Sequence, residues 1–267
     1  MLTDDRLRTL SDLHLAEAHR EHARFCGPTH IVERGGLLLS AGGSSFPAPP
    51  INAALALGSE PADAEEMLER AQEFFAPLGR RCGIVVRTHV DRELARLCEG
   101  RGLDRVSESP AMALIDPVAE PELAEGVSVR MVRGPREVAD FVEVSAAAYQ
   151  SLGLPAKETE RLLSGPETWL GPCWHAEVVY EHAVPVAAAM LLQSHGIAGV
   201  YWVGTLPGAR GRGHAAAVTR SVSNHGLRLG ARAVVLQASA MGEPVYRRIG
   251  FRTFSSYPGY LSPPRGV

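Results

Sequence analysis

The stretch Pro207-Gly-Ala-Arg-Gly-Arg-Gly-His-Ala215 places three glycines and two arginines within seven residues, after a strand-like run and before a helix-like one. The backbone N–H groups that open a helix have no intrahelical acceptor, and the positive end of the helix dipole points into the preceding turn. Such a turn is an anion site by construction. Gly211 and Gly213 would let the backbone close around a pyrophosphate and would tolerate positive φ, while Arg210 and Arg212 would add charge. His214 is expected to face solvent or its own helix rather than the chemistry. By themselves these residues fit two readings, a phosphate cradle and an ordinary basic turn.

Behind the loop, at fixed distance, stand the strand-like run Val234-Val-Leu-Gln-Ala-Ser239 and then Tyr246-Arg-Arg-Ile-Gly-Phe251. A phenol of pKa ~10 can donate a proton to a departing group only if it is held against it; otherwise a tyrosine on an amphipathic helix is core. Trp169, Trp174 and Trp202 could line a pocket or fill the core. Cys173 has no neighbour in sequence that would lower its pKa, so it reads as an inert thiol.

The run Tyr201-Trp-Val-Gly-Thr-Leu-Pro-Gly-Ala-Arg-Gly-Arg-Gly-His-Ala215, with Ser239 and Tyr246-x-x-x-Gly-Phe251 behind it, resembles the GNAT superfamily of acyl-CoA-dependent N-acyltransferases, over about residues 127–261. The resemblance implies that Arg210, Gly213 and Ala215 occupy the fixed positions of a coenzyme A pyrophosphate loop, with Gly211, Arg212 and His214 between them. It implies that Val203, Gly204 and Thr205 bind the acetyl carbonyl and pantetheine through their backbone. It places Tyr246 near the thioester sulfur as general acid toward the departing thiolate. Ser239 stands where the family often has an asparagine, and reaches less far. The implied activity is transfer of an acetyl group from acetyl-CoA, bound as cosubstrate, to a primary amine by direct attack, without a metal. For the base that would receive the amine proton, residues 197–205 supply no acid. His195, Glu177, His182, Glu143, Tyr201 and a water chain stay open. A second reading is an acyl-CoA-binding regulatory module without turnover.

The elements that must position these residues emerge from periodicity. Residues 3–24 and 63–75 read as amphipathic helices, the second on Ala64, Met67, Leu68, Ala71, Phe74 and Phe75. Residues 28–40, 51–57, 83–88 and 108–115 read as strands, and 91–99 as a helix, with Gly42, Gly43, Pro47, Pro49 and Pro50 in a turn or loop. Residues 116–126 are acidic, carry two prolines and read as linker. Beyond it, strands are expected at 127–132, 175–181, 185–193, 197–205, 232–238 and 251–261, and helices at 135–149, 213–229 and 242–249. Residues 150–175, with Gly165, Pro166, Gly171 and Pro172, look loose and border the expected acceptor groove.

At an offset of 148 residues Gly102-Leu103 falls on Gly250-Phe251 and Pro110 on Pro258, so the halves read as copies of one unit. The first copy has Gly58-Ser-Glu-Pro-Ala-Asp-Ala64 in place of the glycine-arginine loop and Cys98 in place of Tyr246. The expectation is an α/β protein of two GNAT-like lobes, each a mixed, twisted sheet flanked by helices: a degenerate first lobe over 1–118, a linker over 119–126 and the acetyltransferase lobe over 127–267. Two roles for the first lobe fit: closing the acceptor groove, or packing elsewhere and pairing two copies as a homodimer.

Bulk properties exclude other classes. A net charge of −3 and a pI of about 6.4 give no basic surface for nucleic acid. Hydrophobic residues at 45% and charged ones at 21% are those of a folded globular chain. Cys26, Cys82, Cys98 and Cys173 show no metal-ligand spacing, and a reducing cytoplasm fits them. The start, Met-Leu-Thr-Asp-Asp-Arg, lacks an apolar signal region, and the apolar run around 183–192 is too short to span a bilayer. The expected partner is a small-molecule or peptide amine, not nucleic acid or membrane.

Overall fold

The computed structural model describes residues 2–262 apart from Cys26, 47–50, Ser164, 166–168 and 170–172. Cys26, Pro47, Pro49, Pro50, Pro166, Gly171 and Pro172 therefore lie outside the described residues. Contacts divide the chain into two units, neither of them one continuous stretch: Met1–Met112 with Gln237–Ala240 and Thr253–Val267, and Ala113–Leu236 with Met241–Arg252.

In the first unit helix α1 (Asp4–Arg24) opens on Thr3, whose hydroxyl accepts the Arg6 N–H. Strands β1 (His30–Arg34), β2 (Leu37–Ala41) and β3 (Asn52–Ala56) come next, then α2 (Ala64–Phe75), β4 (Gly83–Val85), α3 (Arg92–Gly100), β5 (Asp104–Ser107) and β6 (Pro110–Leu114). The single strand expected over 28–40 is the hairpin β1–β2, because Gly35 and Gly36 both take positive φ, as a two-residue type I′ turn demands. Successive side chains of β2 then face opposite ways. Leu37 and Leu39 pack with Met67, Leu68, Ala71 and Phe75 of α2, and Leu38 packs with Leu15 of α1. The strand β5 was not expected; its Asp104-Arg-Val-Ser107 carries no apolar period.

Arg87 is fully buried in this unit. Its guanidinium pairs with the buried Asp91 at 2.7 and 2.8 Å and donates to the carbonyls of Gly58 and Glu60. It thus holds the turn after β3. Removing one member of a buried pair strands the other charge at a cost of about 3–5 kcal/mol. Arg87→Leu should lower the stability of the first unit by about that much, measured as a shift of the urea unfolding midpoint; an unchanged midpoint would show that the pair is not a keystone.

The second unit holds β7 (Val127–Met131), α4 (Pro135–Tyr149), a 3-10 turn (Gln150–Leu152), α5 (Ala156–Leu163), β8 (Trp174–Glu181), β9 (Val184–Ser194), β10 (Ile197–Thr205), a second 3-10 turn (Pro207–Ala209), α6 (His214–Arg228), β11 (Val234–Gln237) and α7 (Glu243–Ile249). Helix α4 begins with Pro135 in its first turn, and the Glu137 carboxylate accepts the Gly134 N–H at 3.0 Å. Helix α5 lies inside the stretch that reads as loose; its eight residues are too few for a clear period. The acidic segment read as linker is tied at its start to α6, where Asn224 accepts the Val118 N–H and donates to the Val118 carbonyl, and Arg228 pairs with Glu120. No helix among the described residues is long and apolar enough to cross a membrane.

The run 251–261 is broken at Pro258 into β12 (Arg252–Ser256) and β13 (Gly259–Leu261), since a proline cannot donate to a ladder. The six-stranded sheet has the order β1-β2-β3-β4-β13-β5 and the seven-stranded sheet β12-β6-β11-β10-β9-β8-β7. From β1 in one and from β8 in the other the orders correspond, except that β13 holds in the first the place that β6 holds in the second. At the repeat offset β6 and β13 are counterparts, so each sheet takes that strand from the opposite half of the sequence.

Candidate active site

Strand β10 positions the site. It pairs in parallel with β11 at Ala198–Val234 and Gly199–Val235, and among the described residues no pairing between the two continues past Gly199, although β10 runs on to Thr205. On its other side β10 stays antiparallel to β9, with the register shifting between Tyr201 and Gly204 around Trp202, whose φ is 53°. A bulge of this kind bends a strand and re-aims its backbone. The end of β10 thus parts from β11 and leaves a wedge with strand backbone as one wall. Val203 and Thr205 are half-buried there and Gly204 is buried.

Gly204 is needed for packing as well. A Cβ on it would lie 2.8 Å from the Cβ of Ala148, so α4 crosses the bulge almost backbone to backbone. Overpacking of this sort costs about 1–3 kcal/mol. Gly204→Val should lower the thermal midpoint accordingly and push α4 off the bulge; full stability in a melting experiment would show that α4 yields freely.

The chain leaves β10 through the second 3-10 turn, with Arg210 extended and Gly211 and Gly213 at φ 80° and 85°. A Cβ on either glycine would meet no protein atom within 4 Å. Gly213 caps the fifteen-residue helix α6 without a side-chain bond, and no acid stands in its first turn. The first N–H groups of α6, from His214 and Ala215, are thus left for an outside acceptor. The corresponding helix of the first unit is closed: Asp63 caps α2 by accepting the Glu66 N–H, with Glu65 and Glu66 in its first turn.

The Arg210 side chain folds back to donate to the carbonyls of Thr205 and Ala148 and to the Ser151 hydroxyl, fastening the loop to the end of α4. These acceptors are neutral, so its charge stays unanswered. Arg212 pairs with Glu181 at 2.8 Å. His214, expected to face solvent or its own helix, is instead buried at 4% exposure, with Nε2 3.7 Å from the same carboxylate oxygen, because the helix start turns inward against the end of β8.

Tyr246 lies on α7, buried, with burial pushing its hydroxyl up to about 12. Its neighbour is Tyr149 at the end of α4, which sequence reasoning did not single out. Burial raises the Tyr149 phenol and the nearby Tyr246 raises it further. The Tyr149 ring sits 4.9 Å from that of Trp202 and against Gly204. One phenol thus stands against the bulge with a second near it, and nothing in the spacing of residues 149, 202 and 246 could have paired them. Ser239 is exposed after β11, in the segment 237–240 that clusters with the first unit.

The candidate bases are dispersed. His195 is exposed in the turn before β10, ten residues or roughly 33 Å along the chain from Thr205 at about 3.3 Å per residue. His182 is exposed in the β8–β9 turn and Glu143 is exposed on α4. Glu177 is buried on β8 beside Ser221 of α6, which bonds it, and burial raises its carboxyl. Tyr201 packs its ring on Trp174 at 6.1 Å, and burial raises its phenol. Trp174 and Trp202 are buried, and Trp169 packs edge-on against Phe141, so all three serve the core around α4. Cys173 is exposed.

No protein-family profile matches the sequence, and no curated protein does. Solved structures match over nearly the whole chain. A GCN5-related N-acetyltransferase from Kribbella flavida aligns with a TM-score of 0.73 at 22% identity, covering 94% of this chain and 95% of that one. One from Sphaerobacter thermophilus aligns at 0.66 and 19% identity, covering 88% and 83%. A tandem GNAT protein from the clavulanic acid biosynthesis pathway aligns at 0.62 and 14% identity, covering 100% and 98%. At these identities the likeness is one of fold, and it extends over both sheets. The chain has the tandem fold of the GCN5-related N-acetyltransferases, two GNAT-like lobes in one polypeptide.

Proposed function

We propose that the second lobe is an acyl-CoA-dependent N-acetyltransferase that moves an acetyl group from acetyl-CoA to a primary amine of a small molecule or peptide. The observation that carries this reading is the conjunction of the β10–β11 wedge with a loop whose two positive-φ glycines lead into the uncapped start of α6. Those N–H groups, with Arg210 and Arg212, fit a pyrophosphate, and the space beyond Gly211 and Gly213 admits one. The end of β10, from Val203 to Thr205, would hold the pantetheine and acyl carbonyl through its backbone. Acetyl-CoA supplies an activated acyl group on a good leaving thiol. The protein's part is to hold the amine against that group, to offer backbone donors where negative charge develops, and to present the Tyr246 hydroxyl to the departing sulfur. Because β10 carries no acid, the amine proton leaves through water.

The test is calorimetric titration with acetyl-CoA, then an amine screen that reads released thiol. A dissociation constant in the range of about 1 µM to 1 mM, typical of Michaelis constants, together with amine-dependent thiol release, is the expected result. The lack of a carboxylate on β10 favours one other reading, a regulatory module that binds acyl-CoA without turnover; it expects the same binding and no thiol release with any amine.

A further inference from the structure

We propose that Glu181 is a built-in competitor for the anion taken by the glycine-arginine loop, holding Arg212 in the empty state and weakening the hold of the loop on any anion. The inference rests on the reading of that loop as a pyrophosphate site.

Glu181 is the last residue of β8, and its Oε2 reaches both sides of the loop's exit. Arg212 Nη1 lies 2.8 Å from that oxygen and His214 Nε2 lies 3.7 Å from it. The His214 ring is buried, and among the described residues its Nε2 has no hydrogen-bond partner. A buried polar nitrogen left in this state is aimed at something that the protein does not itself supply. Arg210, by contrast, bonds only neutral acceptors. Of the two loop cations, Arg212 is therefore the one already answered by a carboxylate.

An incoming anion must draw Arg212 away from Glu181 and then sit at the start of α6 with that carboxylate close by. Like charges so placed repel, so the penalty falls on every anion and grows with the charge that the anion brings. In the first lobe the equivalent helix start is closed by its own Asp63, an intrachain carboxylate bound outright rather than held in reserve.

The experiment measures dissociation constants for acetyl-CoA, inorganic pyrophosphate and inorganic phosphate with the full chain and with Glu181→Gln, Glu181→Asp, Arg212→Gln and the double variant Glu181→Gln/Arg212→Gln. Glu181→Gln is expected to bind acetyl-CoA about three- to tenfold more tightly, with phosphate also gaining and pyrophosphate gaining at least as much as phosphate. Glu181→Asp, which keeps the charge, should stay near the parent. The gain should shrink in about 1 M salt, where the Debye length is ~3 Å, and should be largely lost in the Arg212→Gln background. Unchanged or weaker acetyl-CoA binding by Glu181→Gln overturns the inference, as does a gain that survives intact without Arg212. Those outcomes leave the loop reading standing so long as the parent binds acetyl-CoA; absence of binding by every variant brings down the loop reading itself.

Discussion

Acetyl-CoA binding should disappear when Gly211 and Gly213 are both replaced by valine, while the fold survives. Both residues hold φ near 80°, a region that costs an L-residue about 1–2 kcal/mol and a β-branched one more. That cost is modest because an added Cβ meets no protein atom within 4 Å at either position. The open space it would enter is the space the loop leaves for an anion. Losing two charge-assisted bonds from backbone N–H groups, at about 1.5–3 kcal/mol each, weakens binding by roughly 10²- to 10⁴-fold. Titration calorimetry on a variant with an unchanged circular dichroism spectrum checks this. Binding within about threefold of the parent would reduce the loop to an ordinary basic turn.

Tyr246→Phe should lower kcat by about 10²-fold or more and leave the KM for acetyl-CoA within about threefold, because the hydroxyl acts on the leaving sulfur and not on the pyrophosphate. The pH dependence is set by the raised phenol. The form required is the protonated one; burial lifts the group to about 12, so its proton is present at every pH below that and is lost only as the pH climbs through it. No descending limb assigned to Tyr246 should therefore appear in kcat between about pH 6 and about pH 10. An active Tyr246→Phe enzyme would remove the assignment, and Tyr149→Phe would then test the neighbouring phenol, which packs against Trp202 and Gly204 of the bulge.

Much of the architecture was legible along the chain. The helices of residues 135–149 and 213–229 and the strands of 175–181, 185–193 and 197–205 appear within one or two residues of their expected ends. Their apolar periods are long, and long periods dominate local propensity. Short elements were not legible: β5 carries a single apolar residue, Val106, and α5 sits between prolines and glycines that read as loop. The β1–β2 hairpin was hidden because Gly35-Gly36 interrupts the strand-like run by two residues only.

The candidate site divides in the same way. The glycine-arginine loop and Tyr246 could be singled out along the chain because each candidate depends on residue type at a fixed local spacing. Tyr149, Glu181 and the inward turn of His214 were not, because each acquires its meaning from a partner on another element. Glu181 is simply the end of a strand until β8 and the start of α6 are brought side by side. The exchange of β6 and β13 between sheets lies beyond any local signal, since the two strands are equivalent copies and either would satisfy the alternation of either sheet. The sequence by itself determined which segments are helix and strand, that the unit is repeated, and that only the second copy keeps a helix start open to an anion, because these depend on side-chain period and on glycine and acid content at one place. Only the tertiary structure decided which strand completes which sheet, which two phenols become neighbours and which carboxylate pairs with the loop, because those are contacts between residues far apart in the chain, chosen by packing.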